Sequence, residues 1–251
     1  MNRRRWLSGL GAGLGGLWLS GCDAIATSPA AGKGLSLAEG LNRRVQRLFV
    51  GRTGLAREFD KKHISSFFKP NGNTNPNTPE YNTHLDNGFA DWRLAVDGRV
   101  NQPLSLSLAD LKALPARTQI TRHDCVEGWS SIGEWTGARL GPVLDKAGLK
   151  EGARYVVFHC FDNWGPGNGM YYESIDLVDA YHPQSILAYA MNGQPVPVAH
   201  GAPLRLRVER QLGYKHAKYI RRIEVVENFE HLGSGKGGFW EDRGYEWYAG
   251  I

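Results

Sequence analysis

From Trp92 to its C-terminus the chain is cut into short apolar segments by turn-forming residues, and this punctuation restricts the fold more than any other feature. Trp92-Arg93-Leu94-Ala95-Val96 alternates and stops at Asp97-Gly98, a dipeptide that favours tight turns. Leu104 to Leu111 runs into a short helix that Pro115 stops. A strand over 119–122 leads toward Cys125, and 140–147 (LGPVLDKA) predicts a helix closed by Gly148. Tyr155-Val156-Val157-Phe158 reads as a buried strand, and 204–209 and 219–227 predict two more. The expectation is an α+β domain of mixed sheets, short helices and long loops. A chain of 251 residues, 41% of them hydrophobic, can bury a substantial core.

The N-terminal part reads differently. Residues 1–22 combine a basic start, a short glycine-rich apolar stretch and a small-residue site, the pattern of an export leader. Arg3-Arg4-Arg5-Trp6-Leu7 resembles a twin-arginine signal, and Leu19-Ser20-Gly21-Cys22 resembles a lipobox whose cysteine carries the lipid. Residues 23–36 are small and polar and read as a tether, and 37–49 has helical apolar spacing. The segment 70–79 (PNGNTNPNTP) cannot hold regular structure. The predicted division is therefore a signal at 1–22, a tether and extension at 23–79, and the main domain at 80–251. The formal charge is +5, but Arg3, Arg4 and Arg5 carry three of those charges and leave +2 without them. That balance, with no basic-aromatic recognition motif, argues against a nucleic-acid partner.

Three cysteines are too few for a disulfide scaffold, and lipidation of Cys22 would leave Cys125 and Cys160. The densest chemical signal is Arg122-His123-Asp124-Cys125-Val126-Glu127-Gly128-Trp129. A cysteine after a strand with cationic neighbours can hold a thiolate, a soft metal ligand. One cysteine cannot build a zinc or iron–sulfur site, so a metal here must bring its other ligands on an organic cofactor. A buried structural thiol, or a Cys125–Cys160 pair, is the competing reading. A second segment, His200-Gly201-Ala202-Pro203-Leu204-Arg205 followed by Gly213-Tyr214-Lys215-His216-Ala217-Lys218, offers a guanidinium, a glycine-flanked turn and the ammonium of Lys215, which suits an anion. Its plain alternative is a solvated basic strand edge.

Taken in order, Cys-Val-Glu-Gly-Trp at 125–129, Trp135-Thr136-Gly137, His-Gly-Ala-Pro-Leu-Arg at 200–205 and Gly-Tyr-Lys at 213–215 resemble the sulfite-oxidase superfamily. The branch most alike is that of the periplasmic protein-methionine-sulfoxide reductases. The resemblance implies a sulfite-oxidase-type domain binding molybdenum-molybdopterin, with Cys125 as the thiolate on the metal. It implies Glu127 for proton handling and Tyr245 or Tyr248 facing the metal; beside them Arg122 and His123 are expected to orient an anionic or polar substrate, with support of the cofactor as the alternative. It places Asn82, His84, Cys160, His200, Arg205, Gly213, Tyr214 and Lys215 around the cofactor. It further implies oxygen-atom transfer on a small or protein-bound sulfur substrate, electrons from a membrane haem protein, and a monomer anchored by lipid to the periplasmic face of the inner membrane. A sulfite-type oxidase and a non-catalytic ligand-binding lipoprotein are the alternatives. His200 and Cys160 depart from the reductase pattern, as do Arg210-Gln211-Leu212 before Gly213.

Overall fold

The computed structural model describes residues 40–48, 51–165 and 169–251. The leader, the lipobox at Cys22 and the tether over 23–36 lie outside the described residues. A helix, α1, spans 40–48, with Leu41 and Leu48 exposed. Residues 50–251 form one compact unit, separate from 1–49.

The first sheet of that unit contains β1 (Leu94–Gly98), β2 (Leu104–Leu106), β5 (Tyr155–Asn163), β6 (Met170–Asp176) and β10 (Ile220–Val226), in the order β2-β1-β10-β5-β6. Its β1–β10 pair is parallel and the others are antiparallel. The second contains β3 (Ala116–Asp124), β4 (Ser130–Arg139), β7 (Ile186–Met191) and β8 (Gln194–Pro195) in that order, with β9 (Arg205–Arg207) added on β7. Helices α2 (Pro79–Asp86), α3 (Leu108–Ala113), α4 (Leu140–Ala147) and α5 (Leu177–Ala180) are short, as expected. In α4, Leu140, Val143, Leu144 and Ala147 fall at helical spacing on one face, and all four are buried. Each of the larger three contributes roughly 1.5–3 kcal/mol by leaving water. Gly148 ends the helix at φ 65°, its N–H donating to Leu144 O.

Two expectations change. The alternative of a solvated strand edge over 204–209 fails on solvation: β9 pairs with β7 alone, but it is three residues long and buried on both faces, Arg205 and Arg207 included. Its basic side chains find partners inside the protein, which a reading of alternation alone takes for a wet face. The segment 50–79, assigned to the extension, packs within the compact unit. Phe59 N donates to Ile120 O at 2.9 Å, Ser65 N donates to Ile132 O at 3.0 Å, and Phe68 packs edge-on against Trp135. Residues without regular structure can still be ordered by their neighbours.

Candidate active site

β3 and β4 form a hairpin whose apex is Cys125-Val126-Glu127-Gly128. Cys125 N donates to Trp129 O at 2.9 Å, and Gly128 N donates to Cys125 O at 3.0 Å. Gly128 sits at φ 85°, a backbone shape that other residues rarely adopt. The thiol is thereby held at the end of a rigid two-stranded arm.

Strand periodicity decides which neighbours of Cys125 can reach the same space. Thr121 and His123 turn inward, whereas Arg122 is exposed and donates from Nε to Asp124 at 2.9 Å. Arg122 lines a separate cavity with Arg57 and Phe59 and not the one that Cys125 lines. His123 does not supply a cation either. Burial, then the charges of His216 and Arg207, pushes its pKa well below the ordinary value. Arg207 Nη1 donates to His123 Nδ1 at 3.0 Å, so the ring is neutral with its proton on Nε2. The Cys125 thiol is itself raised, chiefly by burial. Its thiolate is therefore not prepared by cationic neighbours, and a metal bound at the sulfur must supply the compensating charge.

Cys125 opens into a cavity of about 230 Å³. Cys125, Asp162, Tyr171, Gly213, Tyr214, His216 and Lys218 are its buried lining residues. Val126, Glu127, Tyr245, Trp164 and Trp240 are the less buried ones, with the 71–73 loop beside them. Glu127 Oε2 accepts from Trp129 Nε1 at 2.9 Å and from Lys69 Nζ at 3.3 Å. These bonds hold its carboxyl below the usual range, so it stands as a carboxylate that can accept a proton but is poorly suited to donate one.

Behind Cys125 lies an unusual concentration of unsatisfied polar groups. Arg205 is fully buried and donates Nη1 to His200 O at 2.9 Å, while its Nε and Nη2 have no hydrogen-bond partner. Burial, then Arg207, pushes its guanidinium down to about 9. Lys218 Nζ donates to Asn71 O at 2.7 Å, Ala199 O at 3.1 Å and Asn73 O. Burial, then Arg205, pushes that ammonium down to about 7. Gly201 lets the two cationic residues share the space, since a Cβ there would lie 2.9 Å from Lys218 Cβ and 3.2 Å from Arg205 Cβ. His123 Nε2, His200 Nδ1, His216 Nδ1, Asp162 Oδ1 and Asn71 Oδ1 also lack partners. Buried cations and orphaned polar atoms cost several kcal/mol unless a ligand satisfies them. A phosphate suits Arg205 and Lys218, a ring edge rich in donors and acceptors suits the mixed set, and a thiolate-binding metal suits Cys125. These are the parts of a metal-pterin cofactor, and the residues present fit it.

The oxidoreductase molybdopterin-binding domain family matches residues 80–232. The chain belongs to this family. Its relatives include a putative protein-methionine-sulfoxide reductase subunit, YedZ1, of Azospira oryzae, 42% identical over 64% of this chain and 56% of that protein. The uncharacterized oxidoreductase YuiH of Bacillus subtilis is 34% identical over 70% of this chain and 84% of its own length. The protein-methionine-sulfoxide reductase catalytic subunit MsrP of Xanthomonas campestris is 39% identical over 55% and 46%. The chain thus spans about half the length of two of these three relatives. Among solved structures, the sulfane dehydrogenase SoxCD of Paracoccus pantotrophus superposes with a TM-score of 0.50 at 24% identity, over 55% of this chain and 39% of that one. That likeness supports the sulfite-oxidase-type α+β fold alone.

Within this member of the oxidoreductase molybdopterin-binding domain family the expected site residues separate. Cys125, Glu127, Gly213, Tyr214 and Tyr245 come together around the cavity, and Arg205 and His200 lie behind it. Tyr248 is buried and does not line it. Lys215 departs from expectation: it is fully buried and bonded to Glu173 and Glu241 at 2.5 Å each, away from the cavity lining. Lys218, three residues on, stands in the cavity instead. Cys160 is packed in the main core, and both it and Cys125 are free thiols. Asp162, one strand repeat beyond Cys160 on β5, is the group that reaches the cavity. Asn82 bonds to Asn77 and His84 packs against Phe161; neither lines the cavity. Sequence reading flagged the 213–218 segment that carries His216 and Lys218 but gave these two no role, and it missed Asp162, Tyr171 and Trp240.

Proposed function

We propose that this chain is an exported molybdenum-pterin reductase that removes oxygen from a neutral, sulfoxide-type substrate. The observation that carries the substrate class is the cavity mouth. An anion such as sulfite needs accessible cations, but Arg122 faces the other cavity, Lys69 is engaged by Glu127, and Lys218 is buried. The mouth offers the Glu127 carboxylate, Val126 and the rings of Trp164, Trp240 and Tyr245. Those groups disfavour a dianion and suit a polar S–O group carrying apolar substituents.

In this reading Cys125 would ligate the metal, while Arg205 and Lys218 would hold the cofactor's phosphate. When bound, the cofactor supplies two-electron oxygen-atom transfer, so that a sulfoxide, two electrons and two protons become a thioether and water. Tyr245 and Glu127 both line the cavity, and in this reading the tyrosine hydroxyl donates to the substrate oxygen while the carboxylate accepts a proton from water. This reading assigns the chain a single redox group, the cofactor at Cys125. Electrons then come from outside, and a membrane haem protein suits a chain retained by a lipid at Cys22 on the periplasmic face of the inner membrane. We take the chain to be monomeric.

The test is molybdenum and pterin content of protein purified from a molybdopterin-producing host, wild type beside Cys125→Ser, with turnover of methionine sulfoxide and of sulfite. About one metal per chain in the wild type, with sulfoxide reduction lost in Cys125→Ser, is the expected result. Turnover of sulfite with none of the sulfoxide would reverse the assignment to an oxidase. Well-folded wild type without metal or pterin would leave a ligand-binding lipoprotein.

A further inference from the structure

Lys215, Glu173 and Glu241 form an ion cluster with no solvent contact. Lys215 Nζ lies 2.5 Å from Glu173 Oε1 and 2.5 Å from Glu241 Oε1, and the side chains are 0–1% exposed. The remaining oxygens, Glu173 Oε2 and Glu241 Oε2, have no hydrogen-bond partner. Gly238 crosses this cluster where a Cβ would lie 2.0 Å from Glu241 Oε2. Two carboxylates around one ammonium in a dry interior are costly to assemble, and breaking one contact leaves an uncompensated charge.

The three residues come from three segments that bound the cavity. Lys215 ends the turn whose earlier members are Gly213 and Tyr214. Glu173 lies on β6, two residues beyond Tyr171. Glu241 directly follows Trp240 in the C-terminal segment, which lies past residue 232, where the family match ends. Other bonds seat that segment on β6. Trp247 Nε1 donates to Ser174 Oγ at 2.8 Å, Phe239 N donates to Tyr172 O at 2.9 Å, and Ser174 Oγ donates to Gly237 O. So seated, Trp240 stacks on Tyr245 at 5.3 Å, and Tyr245 meets Tyr214 edge-on at 5.2 Å. These three rings line the cavity that Cys125 also lines.

We propose that Lys215 is the positioning residue of this aromatic wall: by clamping Glu241 to Glu173 it holds Trp240 and Tyr245 where they bound the substrate space, and it is not a ligand of the cofactor. The substrate part rests on the sulfoxide reading above; the clamp does not. A wall built from the C-terminal segment lets substrate shape be set outside the part of the chain that holds the cofactor.

The experiment uses the cofactor-loaded full chain with Lys215→Met and, because that change strands two carboxylates, also Lys215→Met combined with Glu241→Gln. Amide hydrogen exchange is followed over 233–251, with β5 as an internal reference, and pterin per chain is measured after extraction. The clamp predicts exchange over 238–245 on the order of 100-fold faster in the variants, with β5 unchanged and pterin content retained. Turnover of a sulfoxide then shows KM raised by about tenfold with kcat less affected, since the wall shapes binding. Loss of pterin in parallel with Lys215, or unchanged exchange over 238–245, overturns the proposal. Wild type that keeps its pterin but turns over no sulfoxide defeats the proposed function instead, and exchange still decides the clamp.

Discussion

Gly213 and His123 illustrate how little freedom the interior leaves at single positions. A Cβ on residue 213 would lie 2.5 Å from His123 Nε2 and 2.7 Å from its Cε1, inside any tolerated contact. Gly213→Ala should therefore displace either the ring or the turn, costing about 1–3 kcal/mol. Reduced pterin content together with a lowered Tm would register both consequences. Arg207 carries more. It donates to both oxygens of Glu209 at 2.8 and 2.6 Å, orients His123, and lies over the Trp135 ring at 4.7 Å, all without solvent contact. Arg207→Met leaves Glu209 charged in the interior with Gln119 as its remaining side-chain donor. A loss of roughly 3–5 kcal/mol in urea unfolding is expected, with much of it recovered when Glu209→Met is added. A single-variant loss below about 1 kcal/mol would mean the pair is not the buried unit described.

At the scale of elements, the β3–β4 hairpin explains why Trp135-Thr136-Gly137 marks the chain. β4 pairs with β3 on one side and β7 on the other, and its register with β7 slips between Thr136 and Gly137. At that slip the backbones approach so closely that a Cβ on residue 137 would be 2.3 Å from Leu187 O and 2.6 Å from Ala188 Cα. Glycine here is required by backbone contact, a common reason for glycine in a strand. Gly137→Ala should cost about 1–3 kcal/mol by forcing β7 outward, read as a lower urea midpoint. Because β7 also carries β9, and with it Arg205, cofactor retention should fall in the same variant. A variant that unfolds at the wild-type urea concentration and keeps its pterin would contradict that geometry.

For the whole molecule, acid stability follows from histidines held neutral. His200 is pushed down to about 4, first by burial and then by Arg205 and Lys218. His182 is lowered by burial and then Arg210, with Gly54 O and the Gln184 N–H as partners. Both have folded pKa values below the unfolded one. The unfolded chain therefore takes up their protons first as pH falls below about 6.5. Stability from these groups is complete above that pH and is lost progressively toward pH 4 for His200. Urea midpoints of the cofactor-free protein should fall across this window, and less steeply in His182→Gln and His200→Gln. Equal slopes in wild type and both variants would remove the histidines as the cause.

What local sequence could determine, it did: an α+β domain of short elements, the α4 stop at Gly148, the β1 turn at Asp97-Gly98, and a chemically distinctive Cys125. Those depend on i, i+3, i+4 spacing, glycine conformation and strand period, all written in neighbouring residues. β4 escaped notice because two of its inward positions are Gly133 and Gly137, which read as a turn until Phe68 and β7 are seen pressing on them. The division of labour between Lys215 and Lys218, the outward turn of Arg122, and the claim of Asp162 over Cys160 were settled by tertiary structure. Each depends on which way a side chain points and what polar groups lie beside it, and those groups come from residues up to 147 positions away in the chain. A lysine in a sequence is one cation; whether it meets two glutamates or a cavity is decided only when the sheets close.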